Sequence, residues 1–415
     1  DQGKIVIAAG LYRPTTNTSD RSARFEITGV QDGLKIYGGW TGTESFSDIS
    51  DVESKLDDRD LGDNPTVLSG DINDEDNTNT DGITEDAEDI VGDNSYTVFY
   101  LDGTSGSTIT TDTVLDGLVI TGGQSNDENG NTGRPALSGG GAYCDGEGDG
   151  NVCSPTLSHI TFIGNFVEFR GGALYNNGFG EGTSSPVITN AVFAGNSTDR
   201  EGGAIYNNGQ EGTSSPAITN AVFTGNSSGR SGGAIYNFAF FRGASSPQIT
   251  NTTFTANTAG DDGGALYNQA TVLGTSSPQI LNSILWGNSA DRNGDEIFNR
   301  AGTPTLSHTL IDDGVNGDGV DGTTGGNNDG GNNLTDDPLF VDAGNPAGKD
   351  VMFGTEDDGL RLQLGSPALN AGNNTPFGTG EPLEDVSADL LGEDRIQNGT
   401  ISLGAYEDGV YPGPI

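Results

Sequence analysis

Between Pro155 and His308 short apolar runs alternate with polar punctuation, and the same alternation returns five times. A Pro-led phrase comes first: SPTLSH, SPVITN, SPAITN, SPQITN and SPQILN, ending at His159, Asn190, Asn220, Asn251 and Asn282. An FxGN-like phrase follows, carried by Phe162/Asn165, Phe193/Asn196, Phe223/Asn226, Phe254/Asn257 and Leu285/Asn288. The third phrase is GGA-(Leu/Ile)-Tyr-Asn, with Tyr175, Tyr206, Tyr236 and Tyr267, and Phe298 closing the series. Each file advances by 30 or 31 residues per step. A fixed period of that size marks a solenoid.

Helical repeats need runs of ten or more residues with a 3.6-residue apolar period. The runs here are five or six residues long, rich in Ile, Val, Thr, Phe and Tyr, and bounded by Gly, Asn, Ser and Pro. Those are strand and turn signals. The expected fold is all-β: a single-stranded, right-handed parallel β-helix whose coils stack at roughly 4.8 Å. Residues one period apart then lie above one another. Phe162, Phe193, Phe223 and Phe254 form one internal stack in this reading, and Leu174, Ile205, Ile235, Leu266 and Ile297 another. Burial contributes roughly 1.5–3 kcal/mol per side chain, so the core arises by repetition.

The bends carry their own ladders. His159, Asn190, Asn220, Asn251, Asn282 and His308 occupy one, and Asn165, Asn196, Asn226, Asn257 and Asn288 another. Asn tolerates left-handed backbone angles, and stacked amides can donate and accept along the file. Paired glycines at 171–172, 202–203, 232–233 and 263–264 suit a third corner. The two histidines are the only ones in the chain, and each stands in an Asn slot. A structural role is therefore expected for them rather than ligation or base catalysis.

The flanking regions are less regular. Residues 1–122 read as irregular N-terminal turns and a cap, 123–310 as regular coils, and 311–415 as a loop-rich C-terminal, β-rich cap unit. Ten or eleven coils are expected, a rod on the order of 50 Å long. The motif pairing FxxN with GGA(L/I) resembles the passenger segments of polymorphic outer membrane proteins and related bacterial surface β-helix proteins, most closely over 116–300. The order IVIAAGLY, LKIYGGWTGTESF, TVLSGD, LDGLVITGG resembles the opening of that family. Its C-terminal membrane barrel is not recognisable in these residues, so its anchoring mode is not carried over. Residues 280–408, through DDGLRL, SPALNAG and GAYE, resemble the choice-of-anchor Q unit of bacterial surface proteins. That resemblance implies secretion and surface display, without catalysis.

Charge sharpens this picture. Seventeen basic residues face 60 acidic ones, a net charge of −43. Such a surface repels nucleic acid and anionic membranes. It suits a high-salt, halophilic setting in which repulsion is screened. No apolar run approaches the roughly 20 residues of a membrane-spanning helix. The chain opens DQGKIVIAAG without methionine, and a removed signal peptide is expected, although a trimmed chain would look the same. Cys144 and Cys153 flank DGEGDGNV. A bridge between them is expected in an oxidising compartment and would contribute roughly 2–3 kcal/mol.

Calcium is the cofactor such acidic loops suggest, because it takes six to eight oxygens from closely spaced carboxylates and carbonyls. The candidate ligands are Asp145, Glu147 and Asp149; Asp312, Asp313 and Asp318; and Asp350, Glu356, Asp357 and Asp358. The first loop has alternating acids but Thr156 at its twelfth position, where a Glu would complete a calcium loop. The insertion Asp71–Asn94 reads as either a solvated or a cation-ordered loop. Rows such as Thr183-Ser184-Ser185 and Thr213-Ser214-Ser215 offer a hydroxyl strip for glycans or ice, or plain solvated turns. Asn196, Asn226 and Asn251 head glycosylation triplets. Arg170, Arg200, Arg230 and Arg292 suggest ion pairing with Glu168, Asp199, Glu201 and Asp291.

The expected function is a secreted, cell-surface structural or adhesive protein, not an enzyme. Self-association end to end into a filament, with the tail Val410–Ile415 adding a strand to the next copy, or contact with surface glycans supplies the partners. The alternative is a polysaccharide-acting β-helix enzyme, lyase or glycosidase, or a glycan-binding module. A catalytic site would need a unique carboxylate constellation, whereas repetition gives every coil nearly the same exterior.

Overall fold

A computed structural model describes residues 3–46, 49–104, 106, 108–126, 137–271, 273–312, 314–315, 320–322, 327–407 and 409–410. The fold is a parallel β-helix. One face holds ten strands on its main path, from Lys4–Ala8 through Val187–Ala194 to Asn328–Asp329. A second holds nine, from Phe25–Thr28 to Val320–Gly322, and a third holds six two-residue strands, from Gln124–Ser125 to Ser289–Ala290. Ladders between successive coils are parallel and in step with the sequence period. The early turns join the same faces: Lys4 pairs with Lys35, and Lys35 with Val114.

The interior is the expected set of stacks. Phe162, Phe193, Phe223 and Phe254 are fully buried, with ring centroids 5.2, 4.5 and 4.7 Å apart. Leu174, Ile205, Ile235, Leu266 and Ile297 pair in register and are equally buried. Side chains alternate along a strand. The neighbouring tyrosines therefore form a separate stack, Tyr100, Tyr143, Tyr175, Tyr206, Tyr236 and Tyr267, ending on Phe298. The Arg24 guanidinium lies 3.8 Å from the Tyr100 ring centre, and that of Arg170 lies 5.0 Å from Tyr206, covering the aromatic surface.

The bends match the sequence at one corner and differ at another. His159, Asn190, Asn220, Asn251, Asn282 and His308 all have φ between 46° and 52°. Their side chains form a file: Asn190 Nδ2 donates to His159 Nε2 (2.9 Å), and Asn220 Nδ2 to Asn190 Oδ1 (3.0 Å). At the next corner the left-handed residue is not the asparagine but the one before it: Gly164, Gly195, Gly225, Ala256 and Gly287, with φ from 55° to 70°. This releases the asparagines to point inward, where they are buried. Asn196 Nδ2 donates to Phe162 O and to Asn226 Oδ1, each at 2.9 Å. A third ladder, Asn176–Asn207–Asn237–Asn268–Asn299, runs through the core with 2.8 Å steps. At the glycine corners a Cβ on Gly203 would stand 2.1 Å from Gly233 O, so the second glycine of each pair is a packing requirement.

Two segments lie against the outside of the first face. In the 71–94 insertion, Ile83 packs with Val119, Ile163 and Val192, and Ala87 N donates to Gly195 O (3.1 Å). Asp76 closes this loop by accepting from Thr84 Oγ1, Val91 N and Asn94 Nδ2 (3.0, 2.8 and 2.8 Å). The segment is thus ordered by its own donors and by the flank beneath it. The C-terminal unit reaches back along the rod, placing Leu403, Ala405 and Tyr406 on Val222, Ile284 and Leu310. The bend asparagines hold it: Asn220, Asn251 and Asn282 donate to Ala388 O, Ser402 O and Asn373 O (2.7, 3.1 and 3.0 Å). The expected cap is therefore a cover on the side, built mainly from turns. Its one described strand pair joins Leu362–Gln363 to Gly409–Val410. Of the tail expected to reach a neighbour, Val410 is paired within the chain, and 411–415 lie outside the described residues.

Candidate functional site

Cys144 and Cys153 are joined, with Cα atoms 5.6 Å apart, and both sulfurs belong to the buried core. The acidic loop between them is closed by hydrogen bonds rather than arranged as a cage. Asp145 accepts from Tyr100 Oη (2.9 Å) and Asn177 Nδ2 (3.0 Å), and Glu147 accepts from the same Asn177 amide (2.9 Å). Asp149 is exposed and apart from them in role. Burial pushes the Asp145 carboxyl up, which disfavours the ionised form a cation needs.

The other candidates are also scattered. Asp313 and Asp318 lie outside the described residues. Asp312 sits close enough to Glu296 to help raise that buried carboxyl to about 8, after burial itself. In the last loop, Asp357 turns outward and accepts from Lys349 N (2.6 Å) and Thr355 Oγ1 (2.9 Å). The backbone donor at Lys349 holds it below the usual carboxylate range. Asp358 turns inward, accepts from Gly354 N (2.8 Å) and Tyr406 Oη (2.7 Å), and is pushed up to about 7 by burial. Asp350 and Glu356 are exposed. Among the described residues no three His, Cys, Asp or Glu side chains converge to hold a metal ion. Among the described candidates, Asp145, Glu147, Asp357 and Asp358 accept from amide, hydroxyl or backbone donors, while Asp149, Asp350 and Glu356 are exposed.

Three further surface expectations change. In the hydroxyl rows the middle serine, Ser184, Ser214, Ser245 or Ser276, is fully buried. The next one spends its oxygen on the following coil: Ser215 N donates to Ser185 Oγ (2.9 Å) and Ser246 N to Ser215 Oγ (2.9 Å). The partly exposed serines that remain form a single file, Ser185, Ser215, Ser246 and Ser277. The triplet asparagines Asn196, Asn226 and Asn251 are fully buried with their amides engaged, which leaves a glycosylating enzyme no access. The arginines pair along the ladder rather than with sequence neighbours: Arg170 with Glu201 (3.0 Å), and Arg292 with Asp261 (3.3 Å) and Asp262 (3.1 Å). Arg200 instead lies over the Phe169 ring at 4.0 Å.

A concave region interrupts the first face. Between the 56–62 loop and the 352–355 and 387–394 turns, part of the first face stays uncovered, forming a cleft of about 780 Å³. Its floor includes Thr161, His159, Asn190 and Val192. Beneath it, Asp116 is bound on both oxygens: Arg59 Nη2 donates to Oδ1 (2.5 Å), and His159 Nδ1 meets Oδ2 (3.2 Å). Burial pushes the Asp116 carboxyl up, but His159 and Arg59 outweigh it and hold the group below its ordinary value. A general acid needs the opposite shift. Asn190 occupies His159 Nε2, which leaves the proton on Nδ1 toward Asp116. The histidine is thus clamped as a ladder member, as its Asn slot suggested. The cleft itself was not legible in the repeats, because its walls are insertions without a period.

With this geometry in hand, comparison with known families is informative for the middle of the rod. Residues 190–208, 220–237 and 251–269 match the model of the Chlamydia polymorphic membrane protein (Chlamydia_PMP) repeat. Each match begins at a bend asparagine and runs through the inward Phe and Asn to the glycine corner and the Tyr-Asn strand. Among curated proteins, none matches the chain. The central coils of this parallel β-helix are similar to the repeats of that bacterial surface-protein family, and the similarity lies in the residues that build the coil.

Proposed function

We propose that the chain is a surface-displayed structural or adhesive rod of a bacterial cell. The observation that carries this reading is the match of three successive coils to the Chlamydia polymorphic membrane protein repeat. Two others support it. The disulfide suits an oxidising, extracellular compartment. The rod's chemistry also suits exposure: the core is a continuous stack crossed by hydrogen-bonded amide ladders, and the outside carries most of a net charge of −43.

Deleting the chain from its own cell and scoring attachment to abiotic and glycan-coated surfaces tests the role. Attachment or cell-to-cell cohesion should fall severalfold and return when the gene is restored. Unchanged attachment and unchanged surface architecture would defeat the proposal.

A further inference from the structure

The first face holds a cleft walled by insertions that do not repeat, and we infer that it binds a neutral or amino-sugar-containing glycan. The inference rests on the surface reading above and adds the ligand class. The cleft is a built feature. Its floor spans three coils, through Val119, Thr161 and Val192, and its walls come from two segments far apart in sequence. Its size falls within the range of small-ligand sites, roughly 300–1,000 Å³.

The chemistry inside selects among ligands. Exposed Asp57, Asp58 and Asp394 contribute to its lining, while its basic groups, Arg59 and His159, are committed to Asp116. An anionic polymer such as a polyuronate or a sulfated glycan meets only repulsion there. Apolar and hydroxyl side chains both contribute to the rest of the lining, among them Phe353, Thr161 and Ser387. A saccharide ring carries the complementary groups: C–H faces that pack on an aromatic ring, and hydroxyls or amines that donate to carboxylates. A peptide seeking a sheet edge finds none, since the floor strands already have parallel partners on both sides.

The purified full chain in high salt provides the test, on an array holding neutral α- and β-glucans, N-acetylated and free amino-sugar oligomers, polyuronates and sulfated glycans, with a basic peptide as a further probe. Trp40 supplies a second readout, because it packs with Leu56 of the wall and lies 5.7 Å from the Arg59 guanidinium. Neutral or amino-sugar oligomers should bind and shift the tryptophan emission. Phe353→Ala should weaken binding at least tenfold. Thr161→Arg, which fills the floor, should abolish it, with the melting temperature of each variant checked alongside. The inference is overturned if no neutral or amino sugar binds, if polyanions or the basic peptide are preferred, or if binding survives in two folded variants. Such a failure would leave the surface reading standing, since attachment and surface exposure are measured on cells.

Discussion

At the residue scale, the fold depends on what each asparagine does, and the repeats make that comparison internal. Asn190 and Asn226 stand at two different corners of the coil, and their duties differ. Asn190 supplies a left-handed backbone, with φ of 51°, and is half-exposed. Asn226 is fully buried, donates to Phe193 O and Asn257 Oδ1, and accepts from Asn196. Removing a buried amide strands several groups, each at about 1–3 kcal/mol. Asn226→Ala should therefore cost about 4 kcal/mol in chemical denaturation, whereas Asn190→Gly, which keeps the backbone freedom, should cost about 1 kcal/mol. Equal costs would mean that the inner ladder is not what holds the corner. Period and composition located both files, but they did not distinguish these roles. The glycine before each inner asparagine, present as Gly164, Gly195, Gly225 and Gly287, was the available signal. Ala256 in the same slot shows that a Cβ is tolerated there.

At the element scale, the coils were legible because every side chain in them answers to the copy above and below. The covers were not, because each is made once. The 71–94 insertion and the C-terminal unit find their positions through Ile83, Leu403 and Tyr406 on the outward side chains of the first face. Acid spacing has a related limit: it places carboxylates along the chain but does not say which way they face, as Asp357 outward and Asp358 inward show. The C-terminal unit also carries a pH dependence. Burial raises Asp358 to about 7 and Glu407 to about 7, the latter despite Arg395 at 3.8 Å. Carboxyls whose folded values are raised hold protons that the unfolded chain would release. The unit's stability is thus greatest on the acid side, falls as pH rises from about 4 through about 7, and levels off above. Limited proteolysis of residues 337–407 should run roughly tenfold faster at pH 8 than at pH 5, and Asp358→Asn should reduce the difference, Glu407 supplying what remains. Cleavage at one rate across that range, or faster at pH 5, would contradict the assignment.

At the scale of the whole molecule, charge is distributed unevenly. Residues 1–40 carry five basic side chains (Lys4, Arg13, Arg21, Arg24, Lys35) against four acidic ones (Asp1, Asp20, Glu26, Asp32), a net of +1. The other 375 residues therefore carry −44 of the −43 total. The strands of the first coils use their bases locally: Lys4 and Lys35 both reach Glu53, and Arg13 reaches Asp74. The acidic remainder lies mostly in loops and covers, outside a neutral core of stacked Phe, Ile, Leu and Asn. Such a rod is stabilised along its axis by repetition and kept soluble by its coat. That division of labour suits a molecule presented to the medium outside a cell.

The central claim is that this presentation occurs. The most direct measurement is brief protease treatment of intact cells in their growth salt, with released peptides identified by mass spectrometry and a cytoplasmic protein as the control for lysis. The account predicts early release of peptides from exposed loops such as Asp57–Asn64 and the 348–357 turn, with the disulfide-closed loop and the coils following slowly. Recovery of these peptides only from broken cells would contradict it.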